Sequence, residues 1–111
     1  MNDIRVLDTE TFVWSRLRVS GSPPEHRFGH TMDVSGSDIL LFGGWSKTSG
    51  ARFKHEPTEE SCDYFMIWST DTMSWKRGKY IGNPPTSRFG HTSTAIGPHM
   101  LIFGGWEYTK A

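Results

Sequence analysis

At 111 residues the chain has room for one small domain, and 35% hydrophobic content with 14% aromatics implies a core of few but large side chains. Lys plus Arg and Asp plus Glu both number 12, so this neutral chain without a basic run carries no electrostatic footprint for nucleic acid or an anionic membrane. The single cysteine, Cys62, excludes an intrachain disulfide, no apolar run reaches the length of a membrane span, and charges interrupt the start of the chain where a signal peptide would be apolar. A cytoplasmic or nuclear protein is therefore expected.

Ile4 to Leu7 reads as a short strand, and Asp8-Thr9-Glu10-Thr11 turns it into a second, Phe12 to Leu17, which carries Trp14 and leads into Arg16 and Arg18. Ser20-Gly21-Ser22-Pro23-Pro24 is a stiff connection, since proline lacks the backbone donor and restricts its neighbour. Arg27-Phe28-Gly29-His30-Thr31 then opens a strand of small or polar residues, Gly29 to Val34. After Ser35-Gly36-Ser37 comes Ile39-Leu40-Leu41-Phe42, apolar without alternation, which predicts a strand covered on both faces and stopped by Gly43-Gly44. Ser46 to Cys62 is too long for a hairpin and has no periodicity, so it reads as a loop. Its centre, Arg52-Phe53-Lys54-His55-Glu56, mixes cations with an aromatic, a composition suited to gripping an acidic peptide; a solvated loop is the competing reading.

From Asp63 the chain begins again. Trp14 recurs as Trp75, Pro23-Pro24 as Pro84-Pro85, Arg27-Phe28-Gly29-His30-Thr31 unchanged as Arg88-Phe89-Gly90-His91-Thr92, and Phe42-Gly43-Gly44-Trp45 as Phe103-Gly104-Gly105-Trp106, all 61 residues apart and without a gap. The second set of strands is predicted at Asp63 to Ser69, Met73 to Lys79, Gly90 to Ile96 and Met100 to Phe103. Lys76, Arg77 and Lys79 stand where Arg16 and Arg18 stood, which suits an edge strand that discourages further pairing. One unit is thus four strands in the order small-polar, apolar, aromatic and Trp-bearing edge. The expected fold is all-β, built of four-stranded antiparallel sheets that stack face to face as propeller blades. Residues 27–79 make a complete blade with the long loop 46–62, residues 1–19 an outer half blade and residues 88–106 an inner half blade.

His30 following Arg27 and Gly29, the apolar strand ending in Gly43-Gly44, and Trp75 after the Asp71-Thr72 turn resemble the kelch repeat across essentially the whole chain. The order and spacing of these elements, seen twice, carry the resemblance, and no Trp-Asp dipeptide closes a strand as in the WD40 alternative. It implies a propeller, usually of about six blades. His30, His91, Gly43, Gly44, Gly104, Gly105, Trp14 and Trp75 become structural motif residues, and no catalytic set is expected. It further implies a protein-interaction scaffold whose partner-binding face is made by the loops after the second strand and before the first. That places Arg52, Phe53, Lys54, His55 and Glu56 on the face, with Arg27 and Arg88 near it. Some plant kelch proteins hold iron with Glu, Asp and His spaced four apart; here Glu59 and Asp63 keep the spacing but position 67 is Ile67, so no metal or cofactor is expected. The alternative function is a small-molecule or enzymatic kelch protein, with Trp45 and Trp106 exposed to a sugar-like ligand. The half blades at either end lead to the expectation of a piece of a longer propeller. The competing expectation is a homo-oligomer in which the inner half blade of one copy is completed by the outer half blade of the next.

Overall fold

The computed structural model describes residues 1–46 and 64–107, and every regular element among them is a strand. These are β1 (Arg5–Leu7), β2 (Trp14–Arg16), β3 (Arg27–Ser35), β4 (Asp38–Ser46), β5 (Phe65–Ser69), β6 (Ser74–Arg77), β7 (Arg88–Phe89), β8 (Thr92–Ile96), β9 (His99–Phe103) and β10 (Trp106–Glu107). All pairs of strands are antiparallel. β3-β4-β5-β6 form one four-stranded sheet, and β1-β2, β8-β9 and β10-β7 form two-stranded pairs. The strand order of the complete sheet is the predicted one, from small-polar β3 through apolar β4 and aromatic β5 to β6 with Trp75.

Alternation along the strands decides which way the chain stacks, because successive side chains point to opposite faces. On β3, Thr31, Asp33 and Ser35 are half-buried and His30, Met32 and Val34 exposed. On β8 the pattern is reversed: Ser93 and Ala95, equivalents of Met32 and Val34, are covered and Thr92, Thr94 and Ile96 exposed. One face of the complete sheet is therefore packed on the opposite face of the sheet that follows it.

The expectation that β4 is covered on both faces is met by two separate cores. Leu41 is buried with Met66, Trp68 and Trp75, against Ile4, Leu17 and Ile39, so this cluster joins the first half blade to the complete blade. Phe42 points the other way and is buried with Tyr64, against Phe65, Tyr80, Met100 and Ile102, joining the complete blade to the second half blade. The equivalent strand β9 is covered on one side only: Met100 and Ile102 are half-buried while Leu101 and Phe103 are exposed.

Several strand boundaries differ from the sequence expectation, and three of the differences have a local reason. The second strand begins at Trp14 rather than Phe12 because Phe12 holds a left-handed φ of 57° and still belongs to the turn. Asp8 fixes that turn, its carboxylate accepting from the amides of Glu10 (2.8 Å) and Thr11 (3.2 Å). β4 runs on through Gly43-Gly44 to Ser46, since Phe28↔Trp45 and His30↔Gly43 keep one register across the glycines. In the second copy the strand is instead interrupted at Gly90-His91 and at Gly104-Gly105, giving β7 and β8, then β9 and β10.

Candidate partner-binding face

Where β3 begins and β4 ends, Phe28 stands opposite Trp45, and their rings stack at 5.5 Å with 29° between planes. The second copy repeats the arrangement with Phe89 opposite Trp106. Phe28 meets Phe89 edge-on at 6.5 Å, so the two pairs join into one aromatic row across the blades. Phe28, Trp45 and Trp106 are exposed at this rim.

The arginines beside the row are held by backbone carbonyls. Arg27 donates from Nη1 to Gly43 O (2.9 Å) and from Nε to Glu25 O (3.1 Å). Arg88 repeats this with Gly104 O (3.2 Å) and Thr86 O (3.2 Å), and adds Thr86 Oγ1 (3.3 Å). Each guanidinium therefore ties the start of its inner strand to the first glycine of the pair after the apolar strand. Its positive charge remains at the rim in a fixed position.

The glycines are explained by what a side chain would strike. A Cβ on Gly43 would lie 2.5 Å from Arg88 O and 2.6 Å from His91 Cε1, so its bare Cα is the seat of the next blade's histidine. A Cβ on Gly44 would meet its own sheet instead, 2.9 Å from His30 Cβ and 3.1 Å from Phe28 O. His91 is 6% exposed, shares one hydrogen bond with Thr31 Oγ1 through Nε2 (2.8 Å), and stands edge-on to Phe42 at 5.3 Å. Ser93 Oγ donates to the Asp33 carboxylate, and Gly90 N donates to Gly29 O (3.0 Å). Burial pushes the His91 pKa below its ordinary value, helped by the Arg88 charge and opposed by the Phe42 carbonyl. His30 is pushed in the same direction, by partial desolvation of its otherwise exposed ring and by the Arg27 charge. His91 is placed as part of the blade-to-blade contact through Thr31 and Phe42, whereas His30 is exposed at the start of β3.

Of the remaining predicted residues, Trp75 is buried against Trp68 with rings 5.6 Å apart, whereas its counterpart Trp14 is exposed. Gly105 repeats the role of Gly44, its absent Cβ facing His91 Cβ at 2.8 Å, while a Cβ on Gly104 would meet nothing within 4 Å. Arg52, Phe53, Lys54, His55 and Glu56, with Cys62 and the carboxylates Glu59 and Asp63, lie outside the described residues. Among the described residues no three His, Cys, Asp or Glu side chains are grouped to hold a metal. A cleft lined by Asn2, Ile4, Arg27, His30, Met32 and Trp75 among others encloses about 90 Å³, well below the ~300–1,000 Å³ of small-molecule sites. Phe28 and Phe89 are the site residues that sequence reading passed over. The signal was present in the repeated Arg-Phe and Gly-Gly-Trp elements, but their pairing depends on the register of β3 with β4.

A four-stranded antiparallel sheet followed, face to face, by the first two strands of its sequence repeat is the arrangement of consecutive blades of a β-propeller. No protein-family model matches the chain. It is 35% identical over 104 residues to bovine Kelch domain-containing protein 3, covering 94% of this chain and 25% of that protein. It is 31% identical over 105 residues to the human Rab9 effector protein with kelch motifs, covering 94% of this chain and 26% of the relative. A probable serine/threonine-protein kinase of Dictyostelium discoideum is 36% identical over 105 residues, which are 92% of this chain and 7% of that protein. The chain belongs to the kelch-repeat family, and it spans about a quarter or less of these relatives.

Proposed function

We propose that the chain is a protein–protein interaction module, an adaptor surface within a larger propeller, with no catalytic role. The observation that carries this reading is the aromatic row Phe28–Trp45 and Phe89–Trp106 at one rim, exposed at Phe28, Trp45 and Trp106 and flanked by Arg27 and Arg88. Aromatic and arginine side chains on a rigid support are the groups that anchor protein partners. Their fixed cations favour an acidic segment bearing apolar side chains. In sequence, the cationic stretch Arg52 to Glu56 follows closely on Ser46, the last residue of β4 and one beyond Trp45. The name of the human relative, an effector of Rab9, is that of a protein acting through another protein.

The test is retention of the full chain on an array of immobilised 15-residue peptides graded in charge and aromatic content. Acidic peptides with apolar residues should retain it, and Phe28→Ala, Trp45→Ala or the pair Arg52→Ala and Lys54→Ala should each cut retention about tenfold, equivalent to ~1.4 kcal/mol. Retention indifferent to peptide charge, or unchanged by all three variants, would sink the proposal. A second reading rests on Trp106, which is 72% exposed and would offer the face of its ring to a saccharide. A crystal soaked with oligosaccharides would show stacking on that ring if this reading is right.

A further inference from the structure

We propose that Ser22 is a phosphorylation site for a proline-directed serine/threonine kinase, and that Lys76 holds the added phosphate on the outer edge of the blade. The sheet β3-β4-β5-β6 is complete, so the free side of β6 is an edge of the blade itself. The link that leads from the first half blade into β3 passes along this edge. Ser20 N donates to Met73 O (3.2 Å) and Ser20 O accepts from Trp75 N (3.1 Å), which makes one parallel bridge between Ser20 and Ser74. Gly21 follows beside Trp75, where a Cβ would stand 2.6 Å from the Trp75 carbonyl oxygen, and its φ of 80° turns the chain at that point. Ser22 and Pro23 then stand exposed, outside any strand, and Pro24 is buried.

Accessibility, sequence and charge meet at Ser22. Of all the Ser and Thr residues in the chain, Ser22 alone is followed by proline. Proline drives the residue before it towards an extended conformation, the shape in which a kinase cleft takes its substrate. A link held on the sheet by one bridge opens locally at little cost, so it reaches such a cleft while the sheet stays folded. The second repeat has Asn83 at the equivalent place, again before a proline, so there the backbone shape recurs without the hydroxyl. In the reaction the γ-phosphoryl group of ATP passes to Ser22 Oγ, the hydroxyl proton goes to the kinase's base, and ADP leaves.

The charge that receives the phosphate is already beside it. Continuing the Ser20–Ser74 register by two residues brings Ser22 next to Lys76, and neighbouring strands lie ~4.8 Å apart. Lys76 is exposed and makes no ion pair among the described residues, and Arg18, two residues before the bridge, adds a second exposed cation. A phosphoserine carries a charge of about −1.5 to −2 at neutral pH and accepts strongly through three oxygens. Modification therefore pins the link to β6. Because the link runs on into Arg27 and Phe28, it also steadies the start of β3.

The experiment has two readouts on the full chain. The first is incubation with ATP and a purified proline-directed kinase, followed by mass mapping of the product. The expected result is one phosphate, on Ser22, with none on Ser22→Ala or Pro23→Ala; both changes are at exposed positions. No phosphate on the folded chain, or phosphate on another residue, would overturn the site. The second readout is amide exchange at Ser20 and Trp75, the two N–H groups of the bridge. Phosphorylation should slow both by about two- to fivefold, the scale of an exposed ion pair, and Lys76→Ala should accept the phosphate but lose the slowing. Exchange unchanged by the phosphate, or slowed equally in Lys76→Ala, would overturn the seating on Lys76.

Discussion

Gly43→Ala and Gly104→Ala are one substitution made at equivalent places, both at a φ of 71°. The left-handed backbone costs an alanine about 1–2 kcal/mol at either site. Only at Gly43 does the new methyl meet the next blade, 2.5 Å from Arg88 O and 2.6 Å from His91 Cε1. Ordinary contact needs close to 1 Å more, so blade and half blade must separate. Overpacking of this kind costs ~1–3 kcal/mol, and straining the Thr31–His91 hydrogen bond adds about 1 kcal/mol. Gly43→Ala should therefore exceed Gly104→Ala by about 2–4 kcal/mol. At roughly 4–8 °C per kcal/mol for a domain near this size, thermal unfolding followed by circular dichroism should separate the two by at least about 8 °C. Amide exchange gives a local check: the Gly90 N–H, bonded to Gly29 O, should exchange faster in Gly43→Ala and be unchanged in Gly104→Ala. Equal losses at the two glycines would refute the reasoning, because they would mean that His91 does not depend on the bare Cα of Gly43.

His91 is held neutral by burial, so the unfolded chain binds the extra proton. Stability is then fully present above the ordinary histidine pKa of about 6.5 and falls as pH drops through the lowered folded value. Urea midpoints at pH 7.5 and 5.5 should show this loss, and His91→Gln should flatten it; a midpoint that rises on acidification contradicts the assignment. Phe12 and Met73 occupy the same left-handed turn position, at φ of 57° and 54°. Phe12→Gly or Met73→Gly should raise stability by about 0.5–1 kcal/mol in a thermal melt, the relief of strain exceeding glycine's entropy. Trp75 is buried beside Trp68 and Trp14 is exposed. Trp75→Ala should cost about 3–5 kcal/mol in denaturant unfolding and Trp14→Ala under about 0.5 kcal/mol.

The fold was legible because the repeat displays each strand twice, and a pattern that agrees with itself at 61 residues leaves little room for another order of elements. What each glycine does was not. Gly43 and Gly44 are neighbours of one residue type, yet one faces the next blade and the other its own sheet, a distinction set by backbone direction at a positive φ. Arg27 and Arg88 were readable as cations near a rim, but their bonds to Gly43 O and Gly104 O arise only once β3 and β4 lie side by side. Phe28 was hidden for a similar reason: inside a repeated pentapeptide it reads as framework, and only its register partner Trp45 makes it part of a surface.

The two kinds of contact between blades divide the work of stacking. Near the start of the inner strands the bonds are polar and specific: Gly29 with Gly90, Thr31 with His91, Asp33 with Ser93. A partly buried hydrogen bond adds only ~1 kcal/mol net but is costly to leave unmade, so these pairs fix how one blade sits on the next more than how tightly. Tightness comes from the apolar clusters farther along β4, where area removed from water counts at about 25 cal/mol per Å². Apolar burial has no directional demand, which is why Trp68 can stand in one unit where Leu7 stands in the other, and Ile39 where Met100 stands. The polar positions have no such freedom wherever a neighbour is seated on them. With docking geometry held by the motif and adhesion by interchangeable apolar residues, the rim carrying Phe28, Trp45, Phe89 and Trp106 is held in place by contacts that lie outside it.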